Sequence, residues 1–152
     1  MNIIKAYTDG SLFKKNNKIY CGYGIYFSKK EYENISEKFD IKPITNNRAE
    51  LYAIYRTIKI CNKINETNKI DELYIYSDSE YCVKTFNIWY KTWIINKKKY
   101  KNNDIIDDAV NLINNATYKI NIIHILSHTN NNDENSINNN IADQLAKNGA
   151  IL

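Results

Sequence analysis

The apolar pattern changes its period once, near Asn46, and that change leaves few folds open to the chain. Before it, the residues read as strands. Ile3-Ile4-Lys5-Ala6-Tyr7-Thr8-Asp9 is a short apolar run ending on an acid and Gly10. Lys18 to Ser28 is rich in Tyr, Ile and Phe, with Gly22 and Gly24 inside it. Glu31 to Phe39 alternates, and Lys29-Lys30 between the two runs predicts a hairpin turn. After the change, Ala49, Tyr52, Ala53, Ile54, Thr57, Ile58 and Cys61 recur at three and four. That spacing predicts a helix from Asn46 to Asn62, capped by Thr45 or Asn46. Leu73 to Tyr76 predicts a strand, Ser79 to about Trp89 a helix, and Asn103 to Asn115 another. Ile120 to Leu126 reads as a buried strand and Ile141 to Ala150 as a last helix. The Asn-rich stretch from Asn130 to Asn140 reads as a polar loop. A meander followed by α/β alternation implies an α/β fold. Its single sheet has five strands and is mixed, antiparallel over the first three and parallel afterwards, with helices on both faces.

At 152 residues the chain is expected to form one domain, with no linker or repeat dividing it. No run of 18 apolar residues exists, so no transmembrane helix is expected. The opening is too soon charged for a signal peptide, and an intracellular protein is expected, in cytoplasm or nucleus. Cys21, Cys61 and Cys82 lie far apart in sequence and read as free buried thiols. The net charge of +4 fits an anionic partner without demanding one. A monomer is the default expectation.

Four acids stand where acids are costly. Asp9 and Asp78 end apolar strands, Glu50 lies beside Ala49 and Ala53, and Asp143 lies beside Ala142 at the start of the predicted last helix. Any one of them reads equally well as a cap or an ion-pair partner. Four together are harder to place, because only 2 Arg are available to offset them. If they converge, a divalent cation is the natural compensation, and all-oxygen ligands suit magnesium or manganese. Two such ions a few Å apart can hold the attacking and leaving oxygens of a phosphodiester. No Ser-His-Asp or Cys-His pattern offers a side-chain nucleophile instead, and Gly22-Tyr23-Gly24 lacks the third Gly of a dinucleotide loop.

Four stretches resemble type 1 ribonuclease H, in that family's order. They are Tyr7-Thr8-Asp9-Gly10-Ser11, Thr45-Asn46-Asn47-Arg48-Ala49-Glu50-Leu51, Tyr76-Ser77-Asp78-Ser79-Glu80-Tyr81 and Asn139-Asn140-Ile141-Ala142-Asp143-Gln144-Leu145-Ala146. The resemblance spans nearly the whole chain. It implies an RNase H-like fold, a bare catalytic domain, and cleavage of the RNA strand of RNA/DNA hybrids to leave 5′-phosphate and 3′-hydroxyl ends. By the same likeness Asp9 bridges two magnesium ions, with manganese as an alternative. Glu50 and Asp78 then hold the ion near the leaving group, and Asp143 holds the ion that activates water. His128 resembles the family's loop histidine, which assists proton transfer and product release, a role suited to an imidazole near neutral pH. Fifteen positions separate it from Asp143, more than is usual in the family.

The resemblance also implies a hybrid-binding surface. Gly10 and Ser11 follow the first acid along the substrate cleft. Asn46 and Asn47 match positions that reach the minor groove, where an amide can read the 2′-hydroxyl that distinguishes RNA from DNA. Trp89 and Trp93, four apart, match the aromatic pair that packs on deoxyribose, and Tyr81 stands where another such aromatic is common. Core packing is the competing reading for both Trp. Thr45 and Asn102 resemble members of the pocket that grips the DNA backbone. Lys97, Lys98 and Lys99, with Tyr100 and Lys101, form a basic patch shorter than the family's usual protrusion, and a solvated loop is its plainer reading. Two rivals stay open: another metal-dependent nuclease of the same fold, and a hybrid-binding module without catalysis.

Overall fold

In the computed structural model, which describes residues 1–127, 129 and 132–152, five strands form one mixed sheet. The strands are β1 (Ile3–Lys15), β2 (Lys18–Phe27), β3 (Ile35–Lys38), β4 (Glu72–Ser77) and β5 (Lys119–His124). The helices are α1 (Asn46–Thr67), α2 (Glu80–Lys84), α3 (Tyr90–Ile95), α4 (Asn103–Asn115) and α5 (Glu134–Ala150), with a π-helical segment, Thr85–Trp89, joining α2 to α3. The sheet order is β3-β2-β1-β4-β5. β1, β2 and β3 pair antiparallel, whereas β4 and β5 run parallel to β1.

Alternation along the strands separates two faces. Ile4 and Ala6 of β1, Cys21, Tyr23 and Ile25 of β2, and Leu73 and Ile75 of β4 are buried with Leu51, Ile54, Ile58 and Cys61 of α1 and Ile105 and Ile106 of α4. The opposite face carries a smaller cluster, Tyr7, Ile125 and Ala142, under α5. Fully burying each large apolar side chain is worth roughly 1.5–3 kcal/mol. The larger cluster therefore fixes α1 on the sheet and α4 against α1. All three cysteines are buried and free. No described helix is long and apolar enough to cross a membrane.

Several element bounds differ from expectation. β1 does not stop at Asp9 but continues to Lys15, because Gly10 is a paired strand residue opposite Tyr23. The third strand shrinks from Glu31–Phe39 to Ile35–Lys38, the stretch before it turning through the Tyr32 N–H to Lys29 carbonyl bond. The helix expected over residues 79–89 breaks into three helical pieces reaching Ile95. The largest difference lies near the C-terminus. The last helix begins at Glu134, so much of the stretch read as an Asn-rich loop is helical, and Asp143 lies inside the helix. Ser136, Asn138 and Asn139 are the buried residues of those turns, and their polarity hides the helical period.

Candidate active site

Three acids meet where β1, α1 and the end of β4 come together. A carboxylate oxygen from each of Asp9, Glu50 and Asp78 lies within 4.8 Å of those of the other two. Asp9 lies mid-strand on the α5 side of the sheet. Its neighbour Gly10 faces α1, where an added Cβ would lie 2.7 Å from Glu50 Cγ and 2.9 Å from Glu50 N. Only glycine lets α1 sit so close, and that approach sets Glu50 beside Asp9. Gly24, paired with Asp9 across the ribbon, does the same for α5. A Cβ there would meet Ala142 O and Ala146 N, each at 2.6 Å. Pressed down in this way, α5 sets Asp143 close enough to act on the Asp9 carboxyl, although Asp143 stands outside the group of three whose oxygens lie within 4.8 Å of one another. Asp143 also pairs with Lys147, one turn on, at 3.0 Å.

The electrostatics are those of a site made for positive charge. Burial pushes the Asp9 carboxyl well above the usual carboxylate range, and the charges of Asp78 and Glu50 push it further. Burial raises Glu50 as well, with Asp78 adding to it, although Ser79 and Asn46 hydrogen bonds work the other way. Asp9 is 6% exposed and Glu50 8%. Such a concentration of buried carboxylates is unfavourable unless protons or cations offset it. Hard oxygen donors with room for several ligands fit magnesium or manganese.

Sequence reasoning gave no role to several residues here. Asn139 is 2% exposed on α5; its Nδ2 donates to Asp78 Oδ2 at 3.4 Å, and its Oδ1 is buried without a partner. Reversing the amide would set that oxygen against the Asp78 carboxylate, so the orientation is fixed. Asn139 stands one turn before Asp143, a spacing that would have marked it had the helix been recognised. Ser79 caps α2 through Cys82 N and also reaches Glu50. Arg48 is buried and forks onto both carboxylate oxygens of Asp104 at 2.8 Å, tying the start of α1 to the start of α4.

Around that fork the structure gathers other expected residues. Thr45 is the α1 cap, its hydroxyl accepting from Arg48 N at 3.1 Å. Asn102 stands before α4 with φ 62°; its Oδ1 accepts from Arg48 Nη1 at 3.4 Å and its Nδ2 donates to the Tyr81 hydroxyl at 3.0 Å. Asn46 and Asn47, relieved of capping, are exposed on the first turn of α1. From Tyr81 an aromatic row runs outward: Tyr81 to Trp89 at 6.2 Å, Trp89 to Trp93 at 6.1 Å, and Trp93 stacked on Tyr100 at 4.9 Å. Both Trp are half-buried, combining a packing contact with an open side. Lys97, Lys98 and Lys99 are exposed just beyond α3, with Lys98 N bonded to Trp93 O at 2.9 Å. Ser11 is half-buried on β1 opposite Gly22. His128 lies outside the described residues. His124 is the last residue of β5, paired with Ser77, and its side chain is exposed.

The sequence pattern that defines the RNase H family matches residues 1–151. The chain belongs to that family of ribonucleases. It is 32% identical to ribonuclease H of Orientia tsutsugamushi over 97% of this chain and 82% of that one. Ribonuclease H of Schizosaccharomyces pombe is 30% identical over 95% of this chain, which spans only about half, 52%, of that relative. The fold is similar to a foamy viral protease-reverse transcriptase solved with dsDNA. The TM-score is 0.77 at 25% identity, over 97% of this chain and 93% of that one. The same kind of viral protein solved with an RNA/DNA hybrid gives 0.78 at 24%, over 97% and 20%.

Proposed function

We propose that this RNase H chain is an endonuclease that hydrolyses the RNA strand of RNA/DNA hybrids with two divalent ions, magnesium or manganese, and leaves 5′-phosphate and 3′-hydroxyl ends. The observation that carries the reading is the convergence of Asp9, Glu50 and Asp78, with Asp143 close to Asp9. These four carboxylates would hold the metal. When bound, it supplies positive charge that stabilises a phosphodiester transition state and eases proton loss from water.

The chain's own residues do the positioning. Asn139 fixes the Asp78 carboxylate, and Lys147 holds Asp143 from its solvent side. Asn46 and Asn47, exposed one turn from Glu50, reach the minor groove and read the 2′-hydroxyl, so that RNA is the strand presented to the acids. Thr45 and Asn102, brought together by Arg48, receive a phosphate of the DNA strand at two adjoining helix starts. Tyr81, Trp89 and Trp93 pack on the DNA sugars, and Lys97, Lys98 and Lys99 meet the phosphates beyond them. His128 serves the proton transfers that accompany product release.

The test is cleavage of an end-labelled RNA/DNA hybrid beside single-stranded RNA, duplex RNA and duplex DNA, each with magnesium, manganese or EDTA. Metal-dependent cutting confined to the RNA of the hybrid is the expected result. Equal cutting of duplex DNA, or a hybrid left intact with both metals, overturns the reading.

A further inference from the structure

The first hairpin extends beyond the rest of the sheet. β4 pairs with β1 only from Ile3 to Thr8, and β3 pairs with β2 only from Gly22 to Ile25. The Cys21 carbonyl still accepts from Phe39 N, so the two-stranded arm proper runs from Phe13 to Tyr20. Such a ribbon is marginal alone in water. Here the register partners Phe13 and Tyr20 stack at 5.2 Å and 14°, which stiffens it. Asn16 and Asn17, with φ of 53° and 63°, form a two-residue turn whose positive φ suits the ribbon's twist.

The arm ends in concentrated positive charge. Lys14, Lys15 and Lys18 are exposed, and Lys15 stands directly opposite Lys18. Like charges facing each other across a ribbon are unfavourable. No Asp or Glu occurs from Gly10 to Lys30, and none of the ion pairs found among the described residues involves these lysines. Lys18 Nζ lies 5.7 Å over the Tyr20 ring. By strand alternation Phe13, Lys15, Lys18 and Tyr20 share the sheet face that carries Asp9. The path from Asp9 to Lys15 is continuous strand, about 20 Å long at roughly 3.3 Å per residue.

We infer that this arm is a second, sequence-independent contact for the substrate. Lys15 and Lys18 on the Asp9 face, with Lys14 on the opposite face of the same narrow tip, grip the sugar-phosphate backbone of the hybrid about 20 Å from the cut bond. The inference rests on the hybrid reading above. A stiff ribbon carrying point charges at a fixed distance measures out a length of duplex and is indifferent to base identity.

The experiment compares wild type with Lys14→Ser/Lys15→Ser/Lys18→Ser and with the corresponding triple Arg variant. Circular dichroism checks their folding. Binding of a labelled hybrid is followed by anisotropy in EDTA across a salt series, and cleavage of the same hybrid is followed with magnesium. The Ser variant should lose about two to three from the slope of log affinity against log salt. Its KM should rise with kcat unchanged, and the Arg variant should behave as wild type. On a hybrid truncated so that it ends short of the arm, all three proteins should agree. A Ser variant with unchanged slope and KM on a long hybrid that wild type cleaves overturns the arm alone. A wild type that neither binds nor cuts hybrid overturns the hybrid reading, and the arm's role with it.

Discussion

Asp9 concentrates the physical argument of the site in one side chain. Its carboxyl is held above its ordinary 3.8 by burial and by the Asp78 and Glu50 charges, and Glu50 is held above its ordinary 4.5. Between those values and the raised ones the folded chain binds more protons than the unfolded chain. The stability these two groups contribute to the metal-free protein therefore falls as pH rises from about 4 toward neutrality. Asp9→Asn removes much of that dependence. The metal-free variant should match wild type near pH 4 and exceed it at pH 7 by at least about 1 kcal/mol, since a tenfold change in proton affinity is worth about 1.4 kcal/mol. Thermal unfolding in EDTA at both pH values measures this, and the same variant should cleave no hybrid. Asn139→Ala gives a complementary result. It loses a bond to Asp78 but also an unpartnered buried oxygen, so stability should change by less than about 1 kcal/mol. Turnover should fall about tenfold, because the amide orients a metal-holding carboxylate. Chemical denaturation and single-turnover cleavage separate the two effects.

At the scale of elements, close approach decides where the acids meet. Gly24→Ala sets a methyl group against the α5 backbone and should cost about 1–3 kcal/mol. It should also reduce cleavage more than that loss explains, because α5 carries Asp143 and Asn139. Activity measured well below the melting temperature checks it. The strands and α1 were legible because their apolar period is strong; the β1 continuation was missed because Gly10 resembles a stop signal when it is an approach point for α1. The first turns of α5 were hidden for another reason. Their inward residues are Ser136, bonded to Asp133, Asn138, beside Tyr7 of β1, and Asn139, bonded to Asp78. Periodicity finds a helix by its apolar stripe, and this one carries a polar stripe where it serves the site. Arg48 was readable as part of a motif, but its partner Asp104 lies 56 residues away, and only the packed fold joins them.

Across the whole molecule, exposed lysines gather in two places apart from the acids. The arm tip with Lys14, Lys15 and Lys18 lies along β1, and Lys97, Lys98 and Lys99 follow α3 at the end of the aromatic row. A net charge of +4 is modest, so its placement matters more than its size. Hybrid binding should weaken steeply with salt, while cleavage at saturating substrate should change little over the same range; steady-state kinetics at several ionic strengths separates KM from kcat. The acidic residues of the site would repel the same phosphates unless cations cover them. The central claim is therefore that Asp9, Glu50, Asp78 and Asp143 form a metal site, and calorimetric titration of magnesium and manganese into the metal-free protein tests it most directly. Wild type should bind either ion with release of protons that shifts with buffer ionisation heat, and Asp9→Asn should bind weakly with little release. Equal binding by the two proteins, or none by wild type, would contradict the account.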